Sequence, residues 1–170
     1  ELMRDSVRRL VAREITPQID KHDRDQTLPK SVFLSIFGKL AELGLTAARL
    51  REAAGGPGIT MLDYGIMFEQ IPPAIGLSLI AHEATTSRLS ADCNDKQRRR
   101  FLPDLIAGRK IGCTGSTEPG TGSDPRGVKT RLTQQGDSLL LNGRKMWITN
   151  VSASDLILVT CLDCREGASR

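Results

Sequence analysis

The stretch Val128-Lys129-Thr130-Arg131-Leu132-Thr133 decides the fold class, because side chains that suit a buried face alternate in it with polar ones. This two-residue repeat is typical of a strand that buries one face. Upstream of residue 110, apolar residues recur instead at the three- and four-residue spacing of helices. Because the strands follow the helices and do not alternate with them, the sequence predicts a helical domain over residues 1–110 and a β-domain over residues 111–170, and argues against a Rossmann sheet.

Turn signals divide the β-domain into four predicted strands. Gly136-Asp137 predicts a turn into a second strand over residues 138–141, and Asn142-Gly143 predicts a tight hairpin turn of the primed type. A third strand is predicted over residues 144–149 and a more buried fourth strand over residues 156–162. We therefore expect an antiparallel β-barrel or sandwich.

Two helices are predicted in the first third of the chain. An amphipathic helix covers residues 1–22 and ends near the polar cluster of residues 21–25. A second helix begins near Pro29, placed in its first turn, and ends at Gly44, a residue suited to a left-handed cap. Residues 54–58, which are rich in glycine, form a loop.

Three more helices are predicted before the β-domain. Pro72-Pro73 separates a helix over residues 60–71 from one over residues 75–92. The last helix covers residues 95–107 and ends at Gly108.

The composition is that of a folded domain. The 170 residues are 39% hydrophobic and 26% charged, with 24 basic and 20 acidic residues, which argues against a disordered chain. No apolar run approaches the ~20 residues of a membrane helix. The first residues lack the basic and apolar segments of a secretory signal. Because the sequence starts at Glu1 without an initiator methionine, we expect a piece of a longer protein.

Positive charge is spread along the chain, which argues against a nucleic-acid-binding module. Residues 1–110 hold 17 basic and 14 acidic residues, and the remainder holds 7 and 6. The exception is a short basic run, Lys96, Arg98, Arg99 and Arg100. We interpret it as a solvated helix face, with a phosphate site or a surface for an acidic partner as the alternative.

No metal site is predicted. Cys161 and Cys164 have the spacing of a metal knuckle, but the chain has no second such pair, and His22 and His82 lie in distant segments. The cysteines are expected to be reduced thiols of an intracellular protein. His82, next to Glu83 in a helix, is interpreted as a hydrogen-bonded structural residue and not as a catalytic base.

One polar segment stands out, Cys113-Thr114-Gly115-Ser116-Thr117-Glu118-Pro119-Gly120-Thr121-Gly122-Ser123-Asp124, which we name the glycine-rich loop. Its glycines allow a ligand to approach the backbone, and its hydroxyls and free N–H groups offer hydrogen-bond donors. The alternative is an exposed polar turn. The loop is not a dinucleotide fingerprint, since Pro125 stands where the third glycine would be, and no Lys-Ser/Thr pair makes it a Walker loop.

Two motifs carry a resemblance to a known family. Residues 117–124 of the glycine-rich loop, followed by Lys145-Met146-Trp147-Ile148-Thr149-Asn150, resemble the flavin-contacting signatures of the acyl-CoA dehydrogenase family. We name the second motif the tryptophan segment. Gly55-Gly56-Pro57-Gly58, His82 and the run from Lys96 to Pro103 occur in the expected order. The resemblance implies an N-terminal helical domain and part of a middle β-domain, with the C-terminal four-helix domain missing.

The resemblance also implies the residues that contact FAD. Thr117 would place its N–H and hydroxyl at the pyrimidine edge of the flavin, where negative charge builds up on reduction, and such donors raise its electron affinity. Trp147 would form a wall of the site, Thr149 would reach the reactive nitrogen, and Ser123 would contact the acyl-CoA. The full set of implied FAD contacts is Thr114, Gly115, Ser116, Thr117, Gly122, Ser123, Trp147, Ile148 and Thr149. Without the resemblance, Trp147 would be interpreted as a core or hairpin-packing aromatic.

The implied reaction is the α,β-dehydrogenation of an acyl thioester. In the family a Glu of the C-terminal domain removes the α-proton, and no residue here matches it, so the base is expected beyond Arg170. Glu118 and Asp124 are given loop-shaping roles. The chain departs from well-known members at residues 114–116, where bulkier side chains are frequent, which leaves the acyl-chain preference open.

The resemblance further implies electron-transfer flavoprotein as acceptor, a homodimer or homotetramer, and a bacterial cytoplasm or a mitochondrial matrix as location. One alternative is a relative acting on acyl groups tethered to a carrier protein, with Arg98 to Arg100 as docking residues. Another is a non-catalytic or DNA-associated member, which the net charge of only +4 disfavours.

Overall fold

Helices occupy the first two thirds of this computed structural model, which describes residues 1–22 and 27–165. A first helical stretch consists of α1, a π-helical turn and α2, and it ends at Ile19, so the predicted helix over residues 1–22 is confirmed in outline. Asp25, at the predicted end of its polar cluster, lies outside the described residues. The helices are α1 (Leu2–Leu10), α2 (Thr16–Ile19), α3 (Lys30–Glu42), α4 (Met61–Phe68), α5 (Pro73–Asp92) and α6 (Asp95–Ile106).

Local signals set the ends of these helices. Gly44 and Gly108 follow α3 and α6 with φ of +74° and +64°, the left-handed backbone that favours glycine, so both predicted stops are confirmed. Pro29 caps α3 from outside its first turn, and α5 begins at Pro73, two residues before the prediction. A proline at the first helical position loses no hydrogen bond, because that N–H has no partner within the helix.

Two apolar clusters hold the helices together. The larger one joins α1, α3, α4 and α5 and includes the fully buried Phe37, Leu40 and Leu79. The smaller one packs Leu89 and Leu105 against further residues that include Leu156 and Leu158. Helix α5 thus contributes to both clusters and connects the helices to the strands. No helix among the described residues is long and apolar enough to cross a membrane.

The strands form two small sheets. In one, β1 (Gly112–Gly115) pairs in parallel with β4 (Leu156–Val159). In the other, β2 (Arg131–Gln135) pairs with β3 (Ser138–Asn142) antiparallel and with β5 (Leu162–Asp163) in parallel. A helical region followed by a sheet-containing region is confirmed. The antiparallel pattern is wrong for two of the three pairings described, and the predicted barrel or sandwich is not confirmed.

The predicted alternation over residues 128–133 is confirmed only in part. Val128 and Thr130 are buried and Lys129 and Arg131 are exposed, but Leu132 and Thr133 are both half-buried, and β2 begins only at Arg131. The hairpin turn at Asn142-Gly143 and the strand over residues 144–149 are wrong. Gly143 has no positive φ; a Cβ there would overlap the Thr130 side chain and lie 2.7 Å from its Cα. The glycine therefore permits a close approach and does not form a turn.

The predicted strand over residues 156–162 is also divided. Its first part, β4, pairs with β1, and its last residue opens β5, which pairs with β2. Burial patterns along a strand do not reveal that neighbouring halves join different sheets.

Candidate functional site

The structure brings the glycine-rich loop and the tryptophan segment together. The Met146 N–H donates to the Thr117 carbonyl oxygen at 3.1 Å. The Lys145 ammonium donates to the Ser116 carbonyl oxygen at 3.0 Å and to Glu118 Oε1 at 2.9 Å. Residues about thirty positions apart in the sequence are thus in direct contact.

The glycine-rich loop leaves β1 and closes on itself. Glu118 and Thr121 exchange two backbone hydrogen bonds of 2.9 and 3.1 Å, which closes a turn around Pro119 and Gly120. Proline is favoured in such a position because its φ is already fixed. The Thr121 hydroxyl donates to the Gly127 carbonyl oxygen at 2.6 Å and fixes the outgoing chain.

The Glu118 carboxylate is the polar centre of this loop. It accepts the Lys129 N–H at 2.7 Å, the Thr130 N–H at 2.9 Å, the Thr130 hydroxyl at 2.5 Å and the Lys145 ammonium at 2.9 Å. The Thr130 hydroxyl, with the Lys145 ammonium and the backbone donors, lowers the pKa of Glu118 to about 2. Glu118 is therefore ionised at neutral pH, and its loop-shaping role is confirmed.

Asp124 has a similar local role. Its Oδ1 accepts the Arg126 N–H at 3.1 Å and the Arg126 guanidinium at 2.9 Å, which caps a short 3₁₀ turn over Pro125–Gly127. The hydrogen bond from the Arg126 side chain lowers the pKa of Asp124. Neither acidic residue of the loop has the properties of a base with a pKa near 7.

The hydroxyls predicted for the site divide into two groups. Thr114 Oγ1 lies 3.1 Å from Thr85 Oγ1, and Ser116 Oγ lies 2.9 Å from Thr160 Oγ1, so both are engaged within the fold. Thr117, Ser123 and Thr149, by contrast, have side-chain hydroxyls without a hydrogen-bond partner among residues 1–22 and 27–165. Among the predicted site hydroxyls of the described residues, these three are free to donate to a ligand.

Trp147 is exposed at the surface. Its side chain is 82% exposed, so the alternative interpretation as a core or hairpin-packing aromatic is wrong. Its φ of 57° is left-handed, which is uncommon for a bulky residue, whereas the left-handed φ of 70° at Asn150 is a conformation that asparagine adopts more readily. The Asn150 side chain donates to the Ser78 carbonyl oxygen of α5 at 2.8 Å and holds the end of the segment, while Ile148 is half-buried.

The site has room beside its backbone. A Cβ built on Gly122 would meet no atom within 4 Å, whereas one on Gly115 would lie 3.6 Å from the Lys145 side chain. Gly122 therefore borders open space, and Gly115 is packed within the fold. An exposed aromatic face, free hydroxyls and open backbone suit a flat ligand with hydrogen-bond acceptors along its edge.

Helix α5 fixes the position of the glycine-rich loop. His82 Nδ1 accepts the Gly112 N–H at 3.1 Å, and its Nε2 donates to the Leu105 carbonyl oxygen at 3.0 Å. Only a neutral imidazole can make both bonds, and burial lowers the pKa of His82 to about 4. The structural role predicted for His82 is confirmed. Glu83 beside it accepts the Tyr64 hydroxyl, and burial raises its pKa.

The remaining candidates lie outside this site. On α6, Lys96, Arg99 and Arg100 are exposed, in agreement with a solvated helix face. The Arg98 guanidinium donates hydrogen bonds to the carbonyl oxygens of Ser90 and Cys93. The described residues hold no group of three or more metal-ligating side chains, and the four cysteines are free thiols.

The sequence interpretation gave no role to three residues that shape the site. Lys145 and Asn150 belong to the tryptophan segment without an assigned role, and Thr85 lies in a predicted helix without one. A lysine beside an apolar run (Met146 to Ile148) is a weak signal of burial, but its partner Glu118 cannot be found without the fold.

Comparisons with known proteins point to one family. Residues 1–109 match the family model described as acyl-CoA dehydrogenase, N-terminal domain, and residues 113–170 match the acyl-CoA dehydrogenase, middle domain. The chain is 30% identical to the probable acyl-CoA dehydrogenase YngJ of Bacillus subtilis, over 95% of this chain and 43% of that protein. The chain thus spans about two fifths of the length of the curated relatives it matches.

Solved structures give the same result. Glutaryl-CoA dehydrogenase from Mycobacterium smegmatis is 35% identical with a TM-score of 0.84, over 95% of this chain and 42% of that one. An acyl-CoA dehydrogenase complexed with FAD from Bacillus anthracis is 25% identical with a TM-score of 0.79, over 95% of this chain and 28% of that one.

Proposed function

The chain belongs to the acyl-CoA dehydrogenase family, and we propose that the whole protein uses FAD to introduce an α,β double bond into an acyl thioester. The observation that carries the proposal is the backbone hydrogen bond between Met146 and Thr117, which places the two flavin-type motifs side by side. The exposed Trp147 ring and the open space beside Gly122 support it, because they leave room for a flat cofactor.

The residues of this chain would hold FAD in two ways. The Thr117 hydroxyl and N–H and the Thr149 hydroxyl supply donors to the edge of the ring system, and Trp147 with Ile148 provides an apolar wall. Backbone of Thr114–Ser116 and of Gly122 approaches the cofactor without bulky side chains, and the Ser123 hydroxyl contacts the acyl-CoA. When bound, FAD accepts the hydride that leaves the β-carbon of the substrate.

We assign neither Glu118 nor Asp124 as the base. Each carboxylate is held ionised by nearby donors, and Glu118 is saturated with four of them. A base that removes an α-proton needs a pKa closer to the working pH and an unhindered oxygen. By its likeness to the acyl-CoA dehydrogenase family, the whole protein would take its base from a Glu of the C-terminal helical domain.

We further propose electron-transfer flavoprotein as acceptor, a homodimer or homotetramer as the assembly, and a bacterial cytoplasm or a mitochondrial matrix as location. Lys96, Arg99 and Arg100 are exposed on α6, which keeps a carrier-protein thioester as the second candidate substrate. Acidic carriers bind basic surfaces of this kind.

The test is anaerobic titration of the full-length protein with acyl thioesters. The proposal predicts a yellow protein whose flavin absorbance bleaches with an acyl-CoA and recovers with electron-transfer flavoprotein. Faster bleaching with the same acyl group on a carrier protein would favour the second candidate. A protein that binds no flavin, or whose flavin no thioester bleaches, would contradict the proposal. Salt-sensitive DNA binding would then favour a DNA-associated role.

A further inference from the structure

A buried ion pair joins the glycine-rich loop to the tryptophan segment. The side chain of Lys145 is 13% exposed and that of Glu118 is 5% exposed, and their charged groups lie 2.9 Å apart. Lysine and glutamate are seldom buried unless paired, because removing their charges from water is costly.

Glu118 does not need Lys145 to shape its own loop. It keeps three donors from Lys129 and Thr130 when the ammonium is removed, and its backbone still closes the turn with Thr121. The Lys145 contact is therefore an addition that acts between the two segments.

A second hydrogen bond of Lys145 indicates the effect of its contact with Glu118. Its ammonium donates to the Ser116 carbonyl oxygen at 3.0 Å. That carbonyl and the Thr117 N–H belong to one peptide group, in which resonance couples the oxygen to the nitrogen. A cation on the oxygen draws electron density from the nitrogen and strengthens the N–H as a donor, as in any hydrogen-bonded chain. The Thr117 N–H has no acceptor among the residues that the structure describes.

We propose that Lys145 is a positioning residue that polarises the Ser116–Thr117 peptide group and aims its N–H at the flavin edge. The proposal rests on the proposed function, because it gives that N–H the flavin as its acceptor. Glu118 holds the ammonium under the Ser116 carbonyl, and the Met146–Thr117 hydrogen bond fixes the other side of the same residue. The Lys145–Glu118 pair thus raises the electron affinity of the cofactor through the Ser116–Thr117 peptide group, without contacting the cofactor itself.

The experiment measures FAD affinity of the apoprotein and the midpoint potential of the bound flavin in the full-length protein. Lys145→Met should weaken FAD binding about twofold, the size of the lost cooperative strengthening of one hydrogen bond, and should make the potential more negative. Lys145→Arg keeps the charge and should restore most of both quantities. Lys129→Met is the matched control, because the main chain of Lys129, not its exposed side chain, bonds Glu118; it should leave both quantities unchanged.

A merely structural lysine would lower the unfolding temperature but leave the potential of the FAD-saturated protein unchanged. That result, or equal shifts in Lys145→Met and Lys129→Met, would overturn the inference. If Lys145→Met does not fold, Lys145→Gln replaces it, and equal potentials for the Arg and Gln variants would overturn the inference as well. Wild-type apoprotein that takes up no FAD would overturn the proposed function and the inference together; wild-type uptake with an unaffected Lys145→Met overturns the inference alone.

Discussion

The helices enclose the larger apolar cluster of this chain, whereas β3 and the tryptophan segment leave large apolar side chains in solvent. Phe37 and Leu79 are fully buried, while Leu139, Leu140 and Trp147 are 57%, 49% and 82% exposed. At roughly 25 cal/mol per Å² of buried apolar area, this contrast indicates that the helical region contributes most of the apolar burial that stabilises the chain. In the strand region, β3 and the tryptophan segment contribute little apolar burial.

Truncation of one apolar side chain in each region should change the free energy of unfolding by very different amounts. Phe37→Ala should lower the free energy of unfolding by about 3–5 kcal/mol, because it leaves a cavity in the larger apolar cluster. Leu140→Ala in β3 should change it by no more than about 0.5 kcal/mol. Urea unfolding followed by circular dichroism measures both, and comparable losses would show that the two regions are equally important for stability.

The contact between the regions should respond to pH through His82. Its pKa in the folded chain is about 4, below the ordinary 6.5. Between these values the unfolded chain binds a proton that the folded chain does not, so stability falls as the pH drops through this window, by about 3 kcal/mol in all. Above pH 6.5 the contribution is constant.

His82→Gln should be less stable than wild type at pH 7, because the hydrogen bonds of His82 are disturbed. Its free energy of unfolding should fall less than that of wild type between pH 7 and pH 4. Glu83, whose raised pKa acts in the opposite direction, is present in both proteins and cancels in the difference. Urea midpoints measured across this range check the prediction. Parallel pH curves for the two proteins would rule out a buried neutral histidine.

A smaller effect is expected where the strand region does pack closely. Gly143→Ala should destabilise the chain by about 1–3 kcal/mol, because the new Cβ would overlap the Thr130 side chain. Gly120→Ala is the control, since a Cβ there meets no atom within 4 Å. Thermal unfolding of the two variants should separate them, and a neutral Gly143→Ala would show that its neighbourhood is loose.

The smallest effect on stability is expected for Trp147→Ala, within about 0.5 kcal/mol, because the side chain is largely in solvent. Its effect on FAD retention by the full-length protein should be large, since the apolar wall is lost. Calorimetry and the flavin-to-protein absorbance ratio measure the two quantities. A destabilised variant that retains its flavin would reverse the roles given to this residue.

Local signals predict the helices well, because each signal lies within a few residues of the helix end that it determines. Gly44 and Gly108 end their helices by backbone conformation, and the apolar spacing of residues 3–19 identifies a helix without knowledge of its partners. The strand pairings are different, because β1 and β4 pair across about forty residues. No turn signal records a parallel pairing of that kind.

From the sequence, more could be predicted about the chemistry of the site than about the arrangement of its residues. Two short motifs identified the glycine-rich loop and the tryptophan segment, yet the sequence could not tell the engaged hydroxyls of Thr114 and Ser116 from the free hydroxyl of Thr117. The prediction of a turn at Gly143 was wrong for a similar reason. A glycine required for close packing and a glycine required for a turn look the same in a sequence.

The most direct test of the flavin site compares two threonines three residues apart. Thr117→Val removes a hydroxyl that faces no protein partner in the described chain, and Thr114→Val removes one already engaged by Thr85 at 3.1 Å. FAD titration of the full-length apoprotein should give about tenfold weaker binding for Thr117→Val and little change for Thr114→Val. Equal affinities for the two variants, or a greater loss for Thr114→Val, would contradict a flavin held between the glycine-rich loop and the tryptophan segment.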